Sequence, residues 1–285
     1  MLENLADLIA IALKEDDAFN DVTSDLTIPK NRVLTFEIAP REEIIFCGVD
    51  VILEVFAQLK KSTKFKNSKL DLEFFANDGD QIKARKAIIR GQGDAKLILA
   101  AERVILNLIQ HLSGIASLTQ KFVTTLNSKK TKILDTRKTL PGLRALEKYA
   151  VLVGGGENHR FSLSEMILIK DNHIAAAGSV KAAIAAAKKS KKKIKIEVEC
   201  DTIEQVAEAV KSGPDIIMLD NMEVADIKKS LNIIKKNSAN IKSEISGGVN
   251  LNNIKKFSKL GADFISVGSL THSAKAVDIG LDIIN

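Results

Sequence analysis

The residues best equipped for chemistry gather between positions 135 and 170. In ILDTRKTLPGLRALEKYAVLVGGGENHR, Arg137 and Lys138 stand near one end and His159 and Arg160 close the other, with Lys170 following soon after. Guanidinium forks match carboxylates bidentately, so two of them beside lysine and histidine suit a ligand with two negative charges. One arginine pairs as readily with a structural Asp or Glu; the whole cluster is harder to explain that way. Lys170 ends the apolar run 166–169 and therefore sits at a strand tip, either as a Schiff-base nucleophile or as a fixed charge. Asp171, Asn172 and His173 come next, to orient it or to shape the loop.

Glu197, Glu199 and Asp220 are the acidic counterpart. Glu197 and Glu199 are two apart on a strand and face the same way. Charges are seldom buried unpaired, so these must meet cations, a metal or a polar ligand. Carboxylates without a His/Cys set suit magnesium, and the four histidines form no zinc-type pattern. Ser246, Gly247 and Gly248, then Gly268 and Ser269, end the last two strands, where glycine lets an anion approach backbone N–H groups. Gly154–Gly156 read equally well as a phosphate cradle or as a plain helix stop.

These groups must be carried by a regular scaffold. Beyond residue 130 the chain repeats strand, polar tip, helix: strands at 132–134, 166–169, 194–198, 216–219, 243–245 and 264–267, helices at 180–189, 203–212, 224–236 and 251–260. That alternation argues for parallel strands with crossover helices. Polar tips on six successive strands favour a closed or nearly closed barrel over an open sheet with one switch point. Thr139 and Pro141 mark a helix start that runs on through Leu143, Leu146 and Ala150. The region before residue 99 mixes β-like runs (33–38, 43–47, 70–75, 87–91) with a helix at 49–59 and another at the N-terminus. A long helical pattern follows through Leu97, Ala101, Val104, Ile105, Leu108, Ile109 and Leu112, bent or interrupted at Ser113-Gly114 and resumed from 115 to 126.

At 285 residues, the chain is long enough for about two domains. A 45% hydrophobic and 27% charged composition is that of a globular protein. No apolar run approaches the roughly 20 residues that span a bilayer, and the N-terminus lacks a signal-peptide pattern, so no membrane partner and a cytoplasmic location are expected. Cys47 and Cys200 share no motif spacing, which fits a reducing compartment and two core residues. The net charge of +6 raises the question of nucleic acid. Its densest lysine run (Lys188, Lys189, Lys191, Lys192, Lys193) closes a helix, and the chain has no Trp and no aromatic-basic interleaving. An anionic small substrate accounts for the charge without nucleic acid.

DTRKTLPGLRALEKYAVLVGGGENHR, LIKDNHI, IEVEC, IIMLDNM, EISGGV, AERVILNLIQHLSGIAS and EDDAFNDVTSDLT together resemble the quinolinate phosphoribosyltransferase (nicotinate-nucleotide pyrophosphorylase, carboxylating) family over nearly the whole chain. Leu140 stands where many members have Thr, and His111 where Arg is frequent. The resemblance implies an α/β fold with an N-terminal α/β sandwich domain (1–113, with the tail 272–285 a candidate to join it) and an incomplete, open α/β barrel (114–271), working as a homodimer. It implies that Arg103, Arg137, Lys138, His159, Arg160 and Lys170 grip quinolinate, Arg103 reaching in from the partner subunit. Glu199 and Asp220 would hold the ribose hydroxyls and magnesium of phosphoribosyl pyrophosphate, and Ser246, Gly247, Gly248 and Gly268 its phosphate. Lys138, Lys170, Glu199 and Asp220 would be the catalytic set, with Lys170 a charge rather than a nucleophile. The implied reaction makes nicotinate mononucleotide, pyrophosphate and carbon dioxide in NAD biosynthesis. Two alternatives are a non-catalytic anion-binding barrel and a paralogous phosphoribosyltransferase for another aromatic acid.

Overall fold

The computed structural model describes residues 4–190 and 193–284, which fall into two compact units. The first holds the chain up to Gln120, Leu140–Gly155 and the residues from Ser273; the second holds Lys121–Thr139 and Gly156–His272. Leu140–Gly155 packs with the first unit although it lies beyond the expected boundary at 113. That segment belongs to the first unit because the Glu147 carboxylate meets His111 at 2.9 Å. Gly154 also packs so closely that a Cβ would lie 2.4 Å from the Ala116 carbonyl oxygen.

In the first unit, β1 (Val33–Pro40), β3 (Leu70–Phe74), β5 (Ile89–Asp94) and β12 (Ile279–Ile284) form an antiparallel sheet in the order β12-β1-β5-β3. The expected strand at 43–47 is reduced to β2 (Ile44–Ile45), paired with β4 (Gln81–Ile82). Gly91 and Gly93 of β5 face inward, and the ring of Phe36 fills the space a side chain on Gly91 would occupy. The helix Val49–Lys61 turns Val51, Ile52, Val55, Phe56 and Leu59 inward, the three-and-four spacing of a single buried face.

The helix Ala95–Leu126 runs without a break, so the interruption expected at Ser113-Gly114 is absent. Gly114 is small there for another reason: a Cβ would collide with the Lys275 carbonyl oxygen at 2.3 Å. By length and composition this helix passes as a membrane span, which run length alone did not reveal. Yet 61% of its apolar window is buried inside the protein, the pattern of a core helix.

The second unit is a parallel sheet of six strands: β6 (Lys132–Leu134), β7 (Ile167–Ile169), β8 (Ile196–Cys200), β9 (Ile216–Asp220), β10 (Lys242–Ser246) and β11 (Phe264–Ser266). Their order, β6-β11-β10-β9-β8-β7, leaves β6 and β7 as edges, so the barrel is open rather than closed. Glu157 adds only an isolated bridge to Leu134 beside β6. The helices Val180–Lys188, Ile203–Ser212 and Val224–Asn237 lie where periodicity puts them. Of the lysine run, Lys188 ends its helix and Lys189 caps it, whereas Lys191 and Lys192 lie outside the described residues.

Two helix expectations fail, each for a local reason. The segment 251–260 is turns around a short 3-10 helix, Ile254–Lys256. Asn250 and Asn253 side-chain amides donate to the Gly248 carbonyl at 3.2 and 2.8 Å, and their side-chain oxygens accept from nearby backbone N–H groups. Such local bonds compete with the helical ladder. The helix expected from Thr139 begins only at Arg144, because residues 140–143 form a turn in which Leu143 N–H donates to the Leu140 carbonyl.

Candidate active site

A cavity of about 710 Å³ opens in the second unit, lined by residues from the C-terminal ends of β6 to β11 and the loops after them. It brings together Arg137, Lys138, His159, Arg160, Lys170, Glu199, Asp220, Ser246, Gly247, Gly248 and Gly268. Arg103 belongs to the first unit, on the helix Ala95–Leu126, with its side chain 58% exposed.

The cationic wall is held from below by Asp135, which is buried at the end of β6. Its carboxylate accepts from the Asn158 side chain at 2.6 Å and from the His159 N–H at 2.9 Å, so the NHR segment is fastened beside Arg137 and Lys138. The Arg160 N–H donates to His159 Nδ1 at 2.7 Å, so Nε2 is the ring nitrogen left to donate. Arg160 gives one arm to the Met166 carbonyl at 2.9 Å. Burial, and then the neighbouring Arg137, pull its guanidinium below the usual arginine range without discharging it. The Glu197 carboxylate acts on it in the opposite direction.

The acidic wall follows on β8 and β9. Lys170 forms an ion pair with Glu199, so its surroundings favour a fixed charge over an isolated lysine nucleophile. Burial pushes the Glu199 carboxyl up, with Lys170 working against that rise. Carboxylate oxygens of Glu199, Asp201 and Asp220 lie within 4.8 Å of one another, a set of hard oxygen donors that fits magnesium. Asp220 also accepts from the Asn221 side chain at 2.5 Å.

The glycine wall closes β10 and β11. Gly247 and Gly248 have φ of +90° and +62°, which glycine adopts without strain. A side chain on Gly247 would also strike the Asn221 amide at 2.2 Å. Gly154–Gly156 contribute nothing to the cavity lining. Gly154 caps the helix Arg144–Val153, which resolves that motif as a helix stop.

Sequence reading found the cations, the acids and the glycine loops but missed Glu244, which lines the same cavity at 0% exposure. The signal is slight: Glu244 sits between Ser243 and Ile245 in a mostly polar strand, KSEIS. Asn221, Asn250 and His272 also line the cavity. Glu197, read as needing a cation, meets His159 Nε2 at 3.1 Å.

Two family models match the chain: the N-terminal domain of quinolinate phosphoribosyl transferase over residues 21–113 and its C-terminal domain over 115–282. The chain is 40% identical to a nicotinate-nucleotide pyrophosphorylase [carboxylating] of Mycobacterium leprae, over 97% of this chain and 96% of that protein. Among solved structures, it is similar to the nicotinate-nucleotide pyrophosphorylase of Ehrlichia chaffeensis, with TM-score 0.91, 41% identity and full coverage of both chains. The corresponding structure from Francisella tularensis gives TM-score 0.90 at 38% identity, covering 98% of this chain and 96% of that one. Matched end to end in sequence and in fold, the chain belongs to the quinolinate phosphoribosyl transferase family.

Proposed function

We infer that the chain transfers the phosphoribosyl group of phosphoribosyl pyrophosphate to the ring nitrogen of quinolinate and releases pyrophosphate and carbon dioxide, leaving nicotinate mononucleotide for NAD biosynthesis. The observation that carries this reading is one cavity in which Arg137, Lys138, His159 and Arg160 face an acidic set, Glu199 and Asp220, across glycine-lined strand ends. The cations suit a ring dicarboxylate. Ser246, Gly247, Gly248 and Gly268 suit the phosphate.

Glu199 and Asp220, with Lys170 beside Glu199, line the part of the cavity where the ribose is placed. As pyrophosphate leaves, positive charge develops on the ribose, and fixed carboxylates stabilise it. Magnesium, when bound, neutralises charge on the departing pyrophosphate; Glu199 and Asp220 are the residues that would hold it, directly or through water and substrate. Arg137, Arg160, Lys138 and His159 orient the ring nitrogen toward the anomeric carbon, where positioning is worth several kcal/mol, roughly. The carboxylate beside the ring nitrogen then leaves as carbon dioxide; the ring cation stabilises the carbanion left behind, which takes up a proton from solvent to give nicotinate mononucleotide.

The working unit is a homodimer in which Arg103, exposed on its own subunit, completes the cationic wall of the partner. What supports this is the side-chain exposure of Arg103 and the family resemblance. A cytoplasmic location is supported by the two free, buried cysteines, which fit a reducing compartment.

Arg137→Ala separates the two halves of the site. It is expected to raise the quinolinate KM by at least about tenfold, the loss of one charge-assisted bidentate contact, while leaving phosphoribosyl pyrophosphate binding within about twofold. Equal weakening of both would remove Arg137 from the dicarboxylate pocket.

A further inference from the structure

Beneath the cationic wall lies a group of side chains that no step above uses. Glu197 of β8 and Glu244 of β10 are both 0% exposed, and with His159 they bring ligand atoms within 4.8 Å of one another. His159 Nε2 is 3.1 Å from Glu197 and 3.6 Å from Glu244. None of the four carboxyl oxygens of Glu197 and Glu244 has a hydrogen-bond partner of acceptable geometry among the described residues.

Two carboxylates are acceptors only, so a buried pair of them facing each other cannot satisfy its oxygens. A proton on one of them changes that: the acid becomes a donor and the other oxygen accepts, as in paired carboxyls that share a site. Glu244 is the better holder. Burial, and then the Glu197 carboxylate, push its carboxyl well above the usual range. The remaining groups that act on it are Ser266 of β11 and Lys170 at the end of β7, both of which work in the other direction but more weakly.

We propose that Glu244 is a positioning residue of this site: it keeps a proton, donates it to Glu197, and the two acids together present a single negative charge that fixes the His159 ring. The consequence is electrostatic as well as geometric. Two buried anions under the pocket would oppose a dianionic ligand; one anion, paired with His159, leaves the cationic wall dominant. The role of His159 toward the dicarboxylate rests on the functional reading above, whereas the shared proton does not.

The test combines spectroscopy with kinetics on the full chain. Isotope-edited infrared spectra of the ligand-free protein at neutral pH should show the carbonyl stretch of one protonated, buried carboxylic acid, and Glu244→Gln should remove it. Glu244→Gln retains a donor and should keep the quinolinate KM within twofold. Glu244→Leu removes the donor and should raise that KM about tenfold with the phosphoribosyl pyrophosphate KM unchanged. Absence of the band overturns the proposal, as does a tenfold rise in KM for Glu244→Gln, or a divalent ion that copurifies with the wild type and is lost in Glu244→Gln. A band with no KM change in a folded Glu244→Leu overturns the positioning role alone. If Glu244→Leu does not fold, the band and Glu244→Gln still decide. Failure of the functional reading looks different: no product from quinolinate while the band persists.

Discussion

Each unit of the molecule buries a histidine against glutamate, and the two arrangements differ in completeness. In the first unit Glu147, at 0% exposure, meets His111 at 2.9 Å through one oxygen and accepts the Leu140 N–H at 3.2 Å through the other. Both oxygens are used, and the pair ties the turn at 140–143 to the long helix. In the second unit His159 faces two acids whose oxygens lack well-formed partners, at the wall of a cavity. A buried charge that is fully satisfied belongs to the architecture. One left short of partners beside a cavity marks a place where ligand or proton is expected, since such groups cost stability and persist where function holds them.

Substitutions should separate the two along that line. His159→Ala is expected to give the largest kinetic effect, lowering kcat/KM for quinolinate by about a hundredfold as the ring that holds the Arg160 segment is lost, a greater loss in kinetics than in stability. His111→Ala should do the reverse. It leaves Glu147 buried with half its partners and should cost roughly 3–5 kcal/mol of stability, the usual penalty for breaking a buried pair, read in a denaturant titration. A large kinetic loss in folded His111→Ala would erase the contrast.

Glu244 gives a pH signature. Its folded carboxyl binds a proton more tightly than the unfolded one, so the unfolded chain holds fewer protons above the ordinary glutamate value of 4.5. Wild-type stability should therefore fall relative to Glu244→Gln as pH rises above 4.5, until Glu244 itself ionises in the folded state. Parallel stability curves for the two proteins would contradict its being protonated. A smaller effect lies away from both clusters. Thr202 caps the helix Ile203–Ser212 through a reciprocal bond with Gln205, and Thr202→Ala should cost about 1 kcal/mol with kinetics unchanged.

Much of the second unit was legible in sequence because its strands are short apolar runs ended by polar residues and its helices keep one periodicity. Lys170 and Asp220 were legible for the same reason, each sitting where an apolar run stops, while Arg137, Lys138, His159, Arg160 and Glu199 stood out as charged residues near such strand ends. Glu244 was not, since in KSEIS it looks like an ordinary solvated strand residue, and only the fold brings it near Glu197. The openness of the barrel was hidden from residue patterns too, because six good strands do not reveal whether the first and last pair. The asparagines at 250 and 253 look helix-compatible until their side chains are seen bonding the loop. Gly114 reads as a break, while it serves the close approach of another segment.

The central claim is that the cavity joins a dicarboxylate to a phosphoribosyl donor. Quinolinate labelled in the carboxyl carbon beside the ring nitrogen tests it directly when mixed with the protein, magnesium and phosphoribosyl pyrophosphate. The account predicts labelled carbon dioxide released in equal amount to pyrophosphate and nicotinate mononucleotide, with no release when the phosphoribosyl donor is withheld. No labelled gas and no pyrophosphate from the complete mixture would contradict it.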